Sequence, residues 1–135
     1  MKIKDVVQQI IALKRKHNLV EKDATPKKER EWYTWALANG HVEFVEQNNK
    51  VLGFLEWVRL NYIPKNEFDI HIDHSIIKTA PILFVGNAIV EDKGVLNLIK
   101  HSLLSKNKDR LYLVWHNKLR HSFKIFKNKE IAYGN

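Results

Sequence analysis

The chain has 135 residues, 44% of them hydrophobic and 28% charged, and no cysteine. That length and balance predict one domain, residues 1–135, with a real core, and exclude intrinsic disorder, a disulfide scaffold and thiolate-held zinc. The net charge of +8 admits a nucleic acid, an anionic surface or a phosphorylated ligand as partner.

The charge is unevenly spread. Residues 100–129 carry nine Lys and Arg against one acid, Asp109, while the rest of the chain nearly balances. With 18 Lys against 5 Arg, and 12 Asn, part of this basicity is what an AT-rich coding sequence writes by default. The apolar runs fall short of the ~20 residues a membrane helix needs, and Met1-Lys2-Ile3-Lys4-Asp5 does not read as a signal peptide. The expectation is a cytoplasmic protein without a membrane partner.

Helical spacing of Ile3, Val6, Val7, Ile10, Ile11 and Leu13 predicts a first helix over 3–17. Lys14, Arg15 and Lys16 suit the negative end of its dipole. Thr25-Pro26 opens a second helix as cap and first residue, and Asn39-Gly40 ends it. Trp32, Tyr33 and Trp35 on this helix are expected in the core rather than in an acceptor pocket. Two strands follow, 41–47 and 51–62, joined at Asn48-Asn49, since Asn tolerates positive φ. A short strand is expected over 68–72. Asp69, His71 and Asp73 share one face there, which reads as a solvated edge rather than a metal site. PILFVGNAIV, 81–90, is a central strand covered on both faces. A helix from Gly94 with Val95, Leu98, Ile99, Ser102 and Leu103 on one side, a strand over 110–115 and a helix over 118–127 complete the chain, apart from a stub of strand at 131–133.

Two motifs carry a family likeness. IVEDKGVLNLIKHSLL (89–104) runs from a central strand through a short turn into a helix, and LYLVWHNKLRHSFKIFKNKEI (111–131) takes a second strand to His116-Asn117. In that order the chain resembles the GNAT superfamily of acyl-CoA-dependent N-acyltransferases, as a short divergent member of the kind also found among bacteriophage proteins. The resemblance implies an α+β fold: a mixed sheet with an antiparallel hairpin first, a C-terminal βαβα unit and helices on both faces. It also implies acetyl-CoA or another acyl-CoA as cofactor and an amine as acceptor. The backbone of Ala88, Ile89 and Val90 takes the place of the acyl-binding strand. Lys93, Gly94 and Val95 take the place of the pyrophosphate loop. Asn117 matches a cofactor-contacting Asn, and Lys118 or Arg120 would meet the 3′-phosphate. The chain departs from the family in the loop, which keeps one glycine and is shortened, and in Lys124, which stands where the family has a Tyr.

Two side chains are candidates for proton transfer. Glu56 sits in the apolar row Leu52, Phe54, Glu56, Val58, Leu60, and burial there would suit it to act as general base. The alternative is a row that faces a groove, or a base such as Arg59 paired with it. His116 ends a buried strand and is a candidate acid in place of the missing Tyr. Asn117 would equally cap a following helix. The reading is therefore a GNAT-like N-acyltransferase. The alternative is a non-catalytic or nucleic-acid-directed relative, a phage accessory, virion or DNA-modification protein, using residues 100–129.

Overall fold

A computed structural model describes residues 1–19, 25–66, 69–71, 78–117 and 122–128, and the backbone only of Asn117. The elements are α1 (Ile3–Lys16), α2 (Pro26–Ala38), β1 (Val42–Gln47), β2 (Lys50–Leu60), β3 (Ile82–Val90), α3 (Lys93–Lys106), β4 (Tyr112–Asn117) and β5 (Ser122–Lys127). The strands form one five-stranded sheet in the order β1-β2-β3-β4-β5. β1 and β2 are antiparallel, β3 and β4 parallel, β4 and β5 antiparallel. The expected α+β mixed sheet is present. The chain groups into two compact units, Met1–Glu56 with Ala88–Leu103, and Trp57–Asn87 with Leu104–Asn135.

In the first unit α1 presents Val6, Val7, Ile10 and Ile11 to Tyr33 and Ala36 of α2 and to Val42, Val51, Phe54 and Ile89 of the sheet. Thr25 caps α2 by accepting the Lys28 N–H at 3.2 Å, with Pro26 in the first turn. Asn48 and Asn49 take φ of 53° and 61°, the left-handed pair that a two-residue hairpin loop needs. Alternation then places a helix on either face. Val42 joins the α1–α2 core, while the next residue, Glu43, accepts from Ser102 Oγ of α3 at 3.1 Å. Tyr33 is buried as expected, but Trp32 and Trp35 are half-buried and stack on each other with centroids 5.5 Å apart.

The expected cationic last turn is present in Lys14, Arg15 and Lys16, but Lys14 is buried. It is 2% exposed, and its Nζ lies 3.5 Å from Glu29 Oε2 and 5.2 Å from the centre of the Tyr33 ring. On α3, Ile99 and Leu103 are buried, but Leu98, expected on the same face, is 62% exposed.

In the second unit β3 and β4 pair over Ile82–Val85 and Tyr112–Trp115. The expected helix over 118–127 is corrected: its described part is β5, paired without a break from Tyr112↔Lys127 to Asn117↔Ser122. The C-terminal unit is βαββ over the described residues, not βαβα. Phe123 and Phe126 are three apart and mimic a helical face, but Phe123, Ile125 and Phe126 favour a pleated surface, and the ladder with β4 satisfies their backbone. The expected strand over 68–72 has no counterpart at Asp69, Ile70 and His71, and its remaining residues lie outside the described ones. Asp69 instead accepts the Lys65 N–H at 3.2 Å, and its carbonyl accepts from the Tyr62 hydroxyl at 2.6 Å. The expected stub at 131–133 also lies outside the described residues.

Candidate functional site

The turn from β3 into α3 is built by three contacts, all in the first unit. Gly53 of β2 has no side chain, and a Cβ there would meet Ile89 O at 3.1 Å, Val95 Cγ1 at 3.2 Å and Val90 Cγ2 at 3.3 Å. The glycine lets the end of β3 and the first turn of α3 close onto β2. Val95 therefore spends its side chain on packing, and only its backbone faces the turn. Glu91 ties the same turn to the end of α1, accepting from Lys16 Nζ at 2.9 Å and lying 2.9 Å from His17 Nε2. Those hydrogen bonds, from Lys16 first and then His17, hold the Glu91 carboxyl below the usual carboxylate range.

Asp92 is the cap of α3. Its Oδ1 accepts the N–H of Gly94 at 2.7 Å and of Val95 at 3.2 Å, and its carbonyl accepts the Leu96 N–H at 3.0 Å. The donors expected to cradle a phosphate are thus present, aimed together, and already hold an anionic oxygen from the chain itself. Lys93 and Gly94 are exposed beside them. A diphosphate fits this donor set when the exposed Asp92 carboxylate turns away. Asp92 was missed in the sequence; the one signal that could have found it is that Asp before a helix is a common N-cap, and its competition with a ligand needed the geometry.

Glu56 is half-buried on β2 and accepts from Trp32 Nε1 at 2.9 Å. It lies opposite Val42 in the β1–β2 ladder, on the α2 side of the sheet. Trp32 leads into a stacked row. Trp35 lies on Trp32, and His41 lies on Trp35 with ring centres 5.3 Å apart and planes 8° from parallel. Trp32 was not foreseen as a partner of Glu56, because a residue on a preceding helix leaves no mark in the alternation of a strand.

In the second unit, the β3–β4 ladder stops at Val85↔Trp115. Both strands continue, to Val90 and to Asn117. Gly86 and Asn87 are therefore strand residues beyond the parallel ladder, as are His116 and Asn117. His116 is 7% exposed and sits against the rings of Phe84 and Phe123, at 6.0 Å and 5.0 Å between centres. Asn117 closes β4 and pairs in register with Ser122. Lys118 and Arg120 lie outside the described residues. Of the basic segment, Lys106, Lys108, Lys124 and Lys127 are exposed, but Arg110 is 5% exposed and belongs to the interior. Among the described residues no three His, Cys, Asp or Glu side chains are grouped to hold a metal, and no helix is long and apolar enough to cross a membrane.

No family model matches the chain, and no curated protein matches it. Among solved structures, a predicted acetyltransferase with acetyl-CoA from Clostridium acetobutylicum is similar over 100% of this chain and 86% of that one, at 14% identity and a TM-score of 0.55. The likeness agrees with the mixed five-stranded sheet and three helices described above, and the chain has a GNAT-like fold.

Proposed function

We propose that the chain is an acyl-CoA-dependent N-acyltransferase acting on an amine. The observation that carries this reading is the early end of the β3–β4 ladder in the second unit, beyond which the two parallel strands continue without pairing to each other while His116 and Asn117 pair with β5. An extended pantetheine arm can take up backbone hydrogen bonds there that a complete ladder would have used. The fold neighbour, whose structure holds acetyl-CoA, supports the same reading.

Acyl-CoA supplies the activated acyl group as a thioester. In the first unit, Lys93 and the N–H groups of Gly94 and Val95 are assigned to its diphosphate, in place of the Asp92 carboxylate. The backbone of Ala88, Ile89 and Val90 is assigned to the acyl oxygen as it gains charge. Glu56 is assigned the proton of the attacking amine, with Trp32 Nε1 fixing the orientation of its carboxylate.

The Asp92 cap favours a second reading, a GNAT-like protein that has kept the fold without the cofactor. Exposed Lys106, Lys108, Lys124 and Lys127 would then offer a nucleic-acid-directed surface. Calorimetric titration of acetyl-CoA and free CoA, at low and moderate salt, separates the two. Saturable micromolar binding that survives moderate salt is the expected result. No binding, or binding matched by arbitrary polyanions and lost with salt, overturns the acyltransferase reading.

A further inference from the structure

The second unit buries two arginines next to each other. Arg59 of β2 is 1% exposed, and Arg110, in the turn between α3 and β4, is 5% exposed. Both grip Asn107. Arg59 Nη1 donates to its side-chain Oδ1 at 2.9 Å, and Arg110 Nη1 donates to its carbonyl at 2.7 Å. Arg59 also donates from Nε to Ala80 O at 2.5 Å and from Nη1 to Asp109 Oδ1 at 3.1 Å.

These contacts leave a deficit. Among the described residues, Arg59 Nη2 and Arg110 Nε are buried and have no acceptor. Among the described residues one carboxylate faces two guanidinium charges, and it is the exposed member, with 70% of the Asp109 side chain in solvent. A buried cationic donor without a partner is costly, and a buried charge is tolerated when it is paired and hydrogen-bonded. Burial, and then the neighbouring Arg59 charge, pull the Arg110 pKa down, against the pull of Asp109. Exposed Lys108 and Lys106 add positive charge along the same turn.

We propose that Arg59 and Arg110 form a binding site for a phosphate group, which enters at the α3–β4 turn by displacing the Asp109 carboxylate. A tetrahedral oxoanion offers several acceptor oxygens at once, and guanidinium forks match it better than they match the single Asp109 contact. The site is independent of the acyl-CoA reading and of the α3 N-terminus. Its phosphate can come from free phosphate, a nucleotide or a nucleic-acid backbone.

The test titrates inorganic phosphate into wild type, Asp109→Asn and Arg110→Met, with chloride at matched ionic strength as control, and follows both heat and thermal unfolding. Saturable binding to wild type is expected. Asp109→Asn loses stability without phosphate, binds phosphate about tenfold more tightly, and recovers more stability from it than wild type does. Arg110→Met binds at least about tenfold more weakly. If Arg110→Met does not fold, the Asp109→Asn comparison decides alone. A nucleoside monophosphate and a short duplex, run in parallel, distinguish the sources. No saturable phosphate binding to either wild type or Asp109→Asn overturns the proposal. So does binding that Asp109→Asn leaves unaltered.

Discussion

Asp92 and Gly94 are joined by a 2.7 Å hydrogen bond from the glycine N–H to the aspartate Oδ1. The residue that starts α3 thus occupies the donors on which a diphosphate would rest. Asn caps a helix as well as Asp does but carries no charge. Asp92→Asn is therefore expected to keep the stability of the fold and to tighten acetyl-CoA binding by about three- to tenfold, read by calorimetry. Asp92→Ala removes the cap and is expected to cost about 1 kcal/mol of stability in urea unfolding.

Glu56 and Trp32 give a prediction on rate. Glu56→Gln keeps the shape and the bond to Trp32 Nε1, since an amide oxygen still accepts. It is expected to lower kcat by about 10² or more with acetyl-CoA affinity unchanged. Trp32→Phe removes the donor and most of the stacking on Trp35, and its smaller effect on kcat would mark Trp32 as a positioning residue. Steady-state kinetics with an amine acceptor reads both. A Glu56→Gln enzyme with full kcat excludes Glu56 as the base.

Gly53→Ala tests how closely the elements of the first unit approach. The added Cβ meets a backbone oxygen at 3.1 Å as well as two valine methyl groups. The oxygen belongs to a paired strand and cannot rotate aside. A loss of about 1–3 kcal/mol is expected from the denaturant midpoint.

The local boundaries of the elements were more legible than the long-range relations between them. Thr25-Pro26, Asn39-Gly40 and Asn48-Asn49 each use a residue whose backbone preference is local, so each boundary could be read without the fold. PILFVGNAIV is apolar on both faces, and it is a central strand. The 118–127 segment failed for the opposite reason. Phe123 and Phe126 satisfy a helical period and a strand propensity alike, and pairing with β4, a tertiary event, decided between them. Lys14 was read only as part of a cationic last turn, and its burial depends on Glu29 of another helix, which leaves no mark in the sequence of α1. At the candidate site the sequence marked the turn at Lys93-Gly94. The geometry supplied the Asp92 cap, the Gly53 notch and the Trp32 donor, which are relations between residues rather than properties of one.

Lys14 and Glu29 also invite a double-mutant cycle. Lys14→Met alone leaves the 6%-exposed Glu29 without its cation and is expected to cost about 3–5 kcal/mol. Lys14→Met with Glu29→Leu removes both charges and is expected to recover most of that loss. Additive losses in urea unfolding would show that the pair is not coupled.

Glu91 gives the stability a pH dependence. Hydrogen bonds from Lys16 and His17 lower its pKa from the usual 4.5. A carboxylate depressed in the folded state contributes stability that is fully present above the unfolded value and lost as pH falls through the folded one. Wild type should therefore lose more stability than Glu91→Gln as pH drops below about 4.5, with the two converging once the carboxylate is protonated. Urea midpoints measured across that window check it. Parallel profiles would show that the exposed cluster contributes nothing.

Ile89 belongs to the same buried cluster as Val6, Ile10, Tyr33 and Phe54. The first 56 residues therefore hold most of a hydrophobic centre but not the piece that seals it. During synthesis the N-terminal helices and hairpin emerge early and must wait, with part of their apolar face uncovered, until the stretch around residue 89 leaves the ribosome. A chain cut after β2 would be left with that face open, so shortening this protein from its C-terminus should yield an aggregating fragment rather than a smaller folded one.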